Sequence, residues 1–246
     1  MTIMRSILCA AALLGLLGSA DAAGLTEPAL HVPASPDGHR RVALTFDACS
    51  GQTDMRILNA LVDNRIPATI FVTARWLKRN GPALTVLLAH PDLFEIENHG
   101  LNHVPAVDEN TRIYGIKAAG SPEAVRAEVQ GGAAAIEKAT GRAPKWFRGA
   151  TAKYTATSIA EIHRLGQQVA GYSVNGDGGS LLGARTVERN FANARDGDVV
   201  IAHINQPKHA AGEGVVKGLL ALKAKGAEFV RLETLPGDRL PPPPGS

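Results

Sequence analysis

Residues 42–47 read Val-Ala-Leu-Thr-Phe-Asp, a strand-sized apolar run that ends on a carboxylate. Runs of the same kind recur at Ala68–Thr73, Phe94–Asn98, Lys145–Gly149, Gln168–Val174, Asp198–His203 and Glu228–Leu232. Helix-like segments lie between them. Asp54–Asn64 carries Ile57, Leu58, Leu61 and Val62 on one stripe. Ser121-Pro122-Glu123 opens a helix towards Thr140-Gly141, with Ser as N-cap and Pro at the first helical position. Thr157–Leu165 and Gly214–Lys225 are the clearest of the rest. Alternation of strand and helix requires right-handed crossovers and a parallel sheet. About seven such units in one domain predict an α/β barrel, closed or nearly so. An open doubly wound sheet is the alternative, but no glycine fingerprint follows the first run to bind a nucleotide.

The two ends stand apart from this pattern. Arg5 precedes the apolar run Ile7–Leu17, and Ala20-Asp21-Ala22 offers small residues at a cleavage site. Residues 1–22 therefore read as a secretory signal peptide, too short for a membrane anchor, and the mature protein is expected to be periplasmic or secreted. Residues 23–40 are rich in Pro and polar residues and read as an N-terminal arm. Residues 41–235 form the domain, and 236–246 a Pro-rich tail. Cys49 is the one cysteine left after cleavage, so no internal disulfide is expected.

Composition removes several classes of function. Of the 246 residues, 45% are hydrophobic and 20% charged, which excludes disorder for the bulk. The net charge of +3 has no basic cluster behind it and does not suggest nucleic acid. Aromatic residues at 4% argue against a long stacked sugar groove.

In parallel α/β folds, functional groups collect at the C-terminal ends of the strands. Asp47 ends the first run; His99 ends the third, with His103 four residues on. Arg148 ends the fourth, Asn175 and Asp177 follow the fifth, and His203 ends the sixth. The His99/His103 spacing lets two imidazoles converge on one divalent cation. Each residue also has a plainer reading: a solvated turn for the His pair, an ion-paired acid for Asp47, a surface cation for Arg148. His203 could be a satisfied core histidine, and Asp177 a turn residue in Asn-Gly-Asp-Gly-Gly.

In this order, the residues resemble the polysaccharide deacetylase family (the NodB homology domain, carbohydrate esterase family 4) from about Val42 to Leu232. Leu44-Thr45-Phe46-Asp47 is similar to the family's T-F-D-D-G motif, and His99 to His103 to its H-x-x-x-H motif. Phe147-Arg148 with Tyr154 resembles the third motif, Ser173–Asp177 the fourth, and Ile201-Ala202-His203 the last. The resemblance implies a distorted (β/α) barrel and a cell-wall or other extracytoplasmic N-acetylated polysaccharide as substrate. It also implies Asp47 as general base oriented by Arg148, and His203 as general acid tuned by Asp177. His99 and His103 would then be the ligands of a divalent metal, zinc being favoured.

Two departures accompany it. Where the family carries a second aspartate as metal ligand this chain has Ala48, leaving Asp47, Cys49 and Asp54 as substitutes. The Pro after Arg148 and the fourth-motif Trp are also missing. The rival expectation is a catalytically impaired carbohydrate-binding module on the same fold. A third keeps the same rim but hydrolyses a small amide or ester.

Overall fold

The computed structural model describes residues 24–234; the signal-peptide reading at 1–22 and the tail at 236–246 lie outside the described residues. The main sheet contains β1 (Arg41–Ala48), β2 (Ala68–Val72), β3 (Phe94–Asn98), β6 (Trp146–Phe147), β7 (Gln168–Val169), β8 (Val174–Asn175), β9 (Val199–His203) and β10 (Glu228–Val230). All of its pairings are parallel, in the order β7-β6-β3-β2-β1-β9-β8, with β10 against the start of β1. A separate hairpin, β4 (Arg112–Ile113) with β5 (Ile116–Lys117), interrupts the β3–β6 connection.

The fifth apolar run does not form one ladder. Its first residues, β7, pair with β6, and its last, β8, pair with β9, so the two edges of the sheet belong to one continuous stretch of chain. Only residues 170–173 separate them. Five residue steps span at most about 17 Å, so the sheet must curl until its edges nearly meet. The result is the expected distorted (β/α) barrel, closed by the covalent chain where hydrogen bonding lapses.

Period-two alternation sets the two faces of β1. Val42, Leu44, Phe46 and Ala48 pack outward against Ile57, Leu58 and Leu61 of α1 (Met55–Asp63). The same cluster takes in Val187 and Phe191 of α6 (Ala184–Ala192) and Val215, Leu219 and Leu222 of α7 (Ala211–Ala224). Ala43 faces the interior with Phe71, Trp146 and Val199, over a plug made by Leu30 and Val32 of the N-terminal arm and by Leu232. The arm is thus part of the fold: Thr26 and Tyr154 exchange backbone hydrogen bonds, and Tyr172 N donates to Pro28 O at 3.3 Å.

The long helix α4 (Pro122–Thr140) keeps its expected ends. Ser121 Oγ accepts from Ala124 N at 3.2 Å, a cap worth about 1 kcal/mol. Gly141 closes the helix at φ 73°, the left-handed region that glycine tolerates. α5 (Ala156–Arg164) follows the same rule, capped by Thr155. Beyond those named from the sequence, the chain forms α2 (Ala74–Arg79), α3 (Gly81–Ala89) and α6. Among the described residues no helix is long and apolar enough to cross a membrane.

Candidate active site

Register brings the strand-end residues together. β1 and β9 are neighbours with Asp47 opposite His203, and β3 lies one strand beyond β2, so His99 emerges on the same rim. Arg148 leaves β6 beside it and is fully buried. A buried guanidinium must find acceptors for its five donors. Nη1 donates to Asp47 Oδ1 at 3.0 Å and to Thr45 Oγ1 at 2.9 Å. Nε and Nη2 donate to the Ala170 and Gly171 carbonyls at 3.2 and 2.9 Å, and the group lies 4.4 Å over the Phe71 ring. Arg148 therefore serves the carbonyls left bare at the barrel seam while fixing the Asp47 carboxylate. Burial alone would push that carboxyl up, but His99 and Arg148 hold it below the usual aspartate value.

His99 is oriented by a backbone group. Its Nδ1 donates to Arg148 O at 2.6 Å, which turns Nε2 towards the other rim residues. That nitrogen lies 3.5 Å from Cys49 Sγ and 3.9 Å from Asp47 Oδ2. The His103 ring stands 4.9 Å from the His99 ring, centroid to centroid. His103 adopts φ 63°, a costly conformation for a non-glycine residue, and is held there from outside. Glu128 Oε1, buried on α4, accepts from Asn102 N and Val104 N at 2.9 and 3.0 Å, on either side of the histidine. Gly100 admits this carboxylate, since a Cβ there would lie 2.4 Å from Glu128 Oε1.

Cys49, His99 and His103 each present a donor atom within 4.8 Å of the other two, the described group in which three such residues could hold a metal ion. Asp177 is no solvated turn residue: it is fully buried and accepts from His203 N at 2.7 Å and from His203 Nδ1 at 3.0 Å. Burial would lower the His203 pKa; the Asp177 carboxylate and the Cys49 thiol hold it well above the ordinary imidazole value. The same surroundings act on Cys49, where burial raises and His99, with hydrogen bonds from His103 and His203, more than reverses.

All six expected residues thus share one rim. Sequence reasoning missed Thr45, Phe71 and Glu128. Thr45 could have been found from alternation, two residues before Asp47 on the same face. Glu128 gave no signal beyond being an acid on the apolar side of a helix.

Residues 34–170, more than half of the chain, match the family model for polysaccharide deacetylase. That span holds Asp47, His99, His103 and Arg148; Asp177 and His203 lie beyond it and are placed by the fold. Among solved structures, a peptidoglycan N-acetylglucosamine deacetylase is similar at 21% identity and TM-score 0.69, over 84% of this chain and 91% of that one. PdaA of Bacillus subtilis, a family 4 carbohydrate esterase, is similar at 20% and 0.64, over 84% of each. A CE4 family pseudoenzyme from Bacillus anthracis gives 19% and 0.64, over 86% of this chain and 69% of that one. No curated protein matches the chain. At these identities the solved structures speak for the barrel alone, and the family rests on the matched segment: the chain belongs to the polysaccharide deacetylase family.

Proposed function

We propose that this chain is a metal-dependent hydrolase that removes N-acetyl groups from an extracytoplasmic polysaccharide, peptidoglycan or another N-acetylglucosamine polymer. One observation carries the reading. An ionised acid and a protonated imidazole, Asp47 and His203, sit opposite each other in adjacent strands beside a converging pair of imidazoles. Cleaving an amide by water needs such a division of labour, because the water must lose a proton while the departing amine gains one.

The residues fit a divalent cation on chemical grounds. His99 turns Nε2 towards Cys49 Sγ with its other nitrogen tied to a carbonyl, and His103 stands beside it, so loss of the Nε2 proton would free that nitrogen for a cation. A cation held by His99 and His103 would polarise the acetyl carbonyl and make a nearby water more acidic. Asp47, with one oxygen held by Arg148, takes the proton of the attacking water on the other. His203, kept in one tautomer by Asp177 on Nδ1, delivers a proton from Nε2 to the nitrogen of the leaving amine. Acetate and a free amino sugar result.

Export of the protein, with residues 1–22 as signal and 41–235 as the working domain, accords with a substrate outside the cytoplasm. The test is metal content together with acetate release from N-acetylglucosamine polymers. Stoichiometric metal and acetate release in the wild type, both lost in His99→Ala, are expected. A wild type that binds metal but releases no acetate from any N-acetylated polymer would leave the carbohydrate-binding reading in its place.

A further inference from the structure

We propose that Cys49 Sγ is the third protein ligand of the metal site, and that the site is therefore built for a thiophilic divalent cation. This rests on the deacetylase reading only for the two imidazoles.

The end of β1 decides which side chain can reach the ion. Thr45 and Asp47 share the inner face of β1 and both meet Arg148 inside the barrel; Cys49 directly follows the strand and is buried 3.5 Å from His99 Nε2. Ala48 is fully buried in the outer core with the helices, and its methyl group has no donor atom to offer a cation. The Cys49 carbonyl is pinned by Thr73 Oγ1 at the end of β2.

The other two substitutes are committed elsewhere. Both carboxylate oxygens of Asp54 are taken by Arg56, at 2.9 and 2.6 Å, and Asp54 Oδ1 also caps α1. Asp47 gives one oxygen to Arg148 and does not join the cluster of mutually close donors that Cys49, His99 and His103 form.

The spacing fits coordination. An ion about 2.3 Å from sulfur and about 2.0–2.1 Å from nitrogen, with a tetrahedral angle between them, separates the two ligand atoms by about 3.5 Å. Cys49 Sγ and His99 Nε2 are 3.5 Å apart. A donor set of one sulfur and two nitrogens suits zinc, cobalt or cadmium and disfavours magnesium and manganese, which take oxygen ligands. Three protein ligands also leave a fourth position open towards substrate.

Loading with Co(II) under anaerobic conditions tests this by spectroscopy, independently of turnover. The wild type should bind one equivalent and show a sulfur-to-cobalt charge-transfer band in the near ultraviolet. Cys49→Ser should lose the band. Cys49→Asp, with its fold checked by circular dichroism, should bind cobalt without the band and shift its preference from Cd(II) towards Mn(II) by about tenfold or more. Stoichiometric cobalt in the wild type without that band would overturn the thiolate ligand and leave the deacetylase reading standing. No bound ion in the wild type would overturn both.

Discussion

Two sets of acids are buried in the same barrel and end in opposite states. Asp47, at the C-terminal rim, meets the Arg148 guanidinium and the His99 ring and stays ionised. Glu95 and Glu97, inward on β3, meet no cation at their inner oxygens. Glu95 Oε2 accepts from Thr69 Oγ1 at 2.6 Å and from Glu233 N at 3.1 Å. Glu97 Oε2 accepts from Lys145 N at 2.8 Å and Trp146 N at 2.6 Å. Glu95 Oε1 has no hydrogen-bond partner among the described residues, and each carboxyl acts on the ionisation of the other. Burial, and then the charge of Glu95, push Glu97 up to about 9, so the pair keeps a proton. Burial is common to both places; the partner decides the charge. The rim acid can take a proton in a reaction, whereas the β3 pair fastens the start of β6 and residues 232–234 to the barrel.

Removing the cation is the strongest way to break this contrast. Arg148→Met leaves Asp47 buried without its guanidinium and strips the seam carbonyls of their donors. It should cost about 3–5 kcal/mol in chemical denaturation, as breaking buried ion pairs does. A loss below about 1 kcal/mol would mean that Arg148 does not hold the seam. Next in size is Asp177→Asn, which removes the carboxylate that keeps His203 protonated. The proposed acid weakens, so kcat should fall about 10²-fold or more, and the alkaline limb of the rate profile should move to lower pH. An unchanged profile would detach Asp177 from His203.

Glu97→Gln has the smallest effect and sharpens the other side. The folded-state pKa of Glu97 is raised from 4.5 to about 9. Its contribution is therefore full below the unfolded value and is lost as pH rises through the folded one. Glutamine keeps an acceptor for Lys145 N and Trp146 N and offers Glu95 an N–H. Thermal unfolding of the wild type should weaken between pH 4.5 and about 9 more steeply than that of the variant. Equal slopes would mean the pair does not share a proton.

The rim was legible in the sequence because strand ends in parallel folds point the same way, so Asp47, His99, Arg148 and His203 could be placed from run boundaries alone. The caps of α4 were equally plain, being local chemistry at Ser121 and Gly141. What was hidden depends on tertiary neighbours. α2 is six residues long and takes its order from packing Trp76 into the core. The split of Gln168–Val174 follows from which strand lies beside each end. The position after Asp47 misleads most: aligned letters put the missing ligand at Ala48, while the thiol beside the imidazoles puts the opportunity at Cys49.

The central claim, that Asp47 is the ionised base of a working deacetylase, is tested most directly by acetate release from an N-acetylglucosamine polymer with metal-loaded Asp47→Asn. Asparagine keeps the shape and an oxygen for Arg148 but cannot take a proton. The account predicts wild-type metal content, a loss of stability from the unpaired Arg148, and acetate release from the folded, metal-loaded variant reduced by about 10²–10⁴-fold. Acetate release within a few-fold of the wild type, at full metal occupancy, would contradict it.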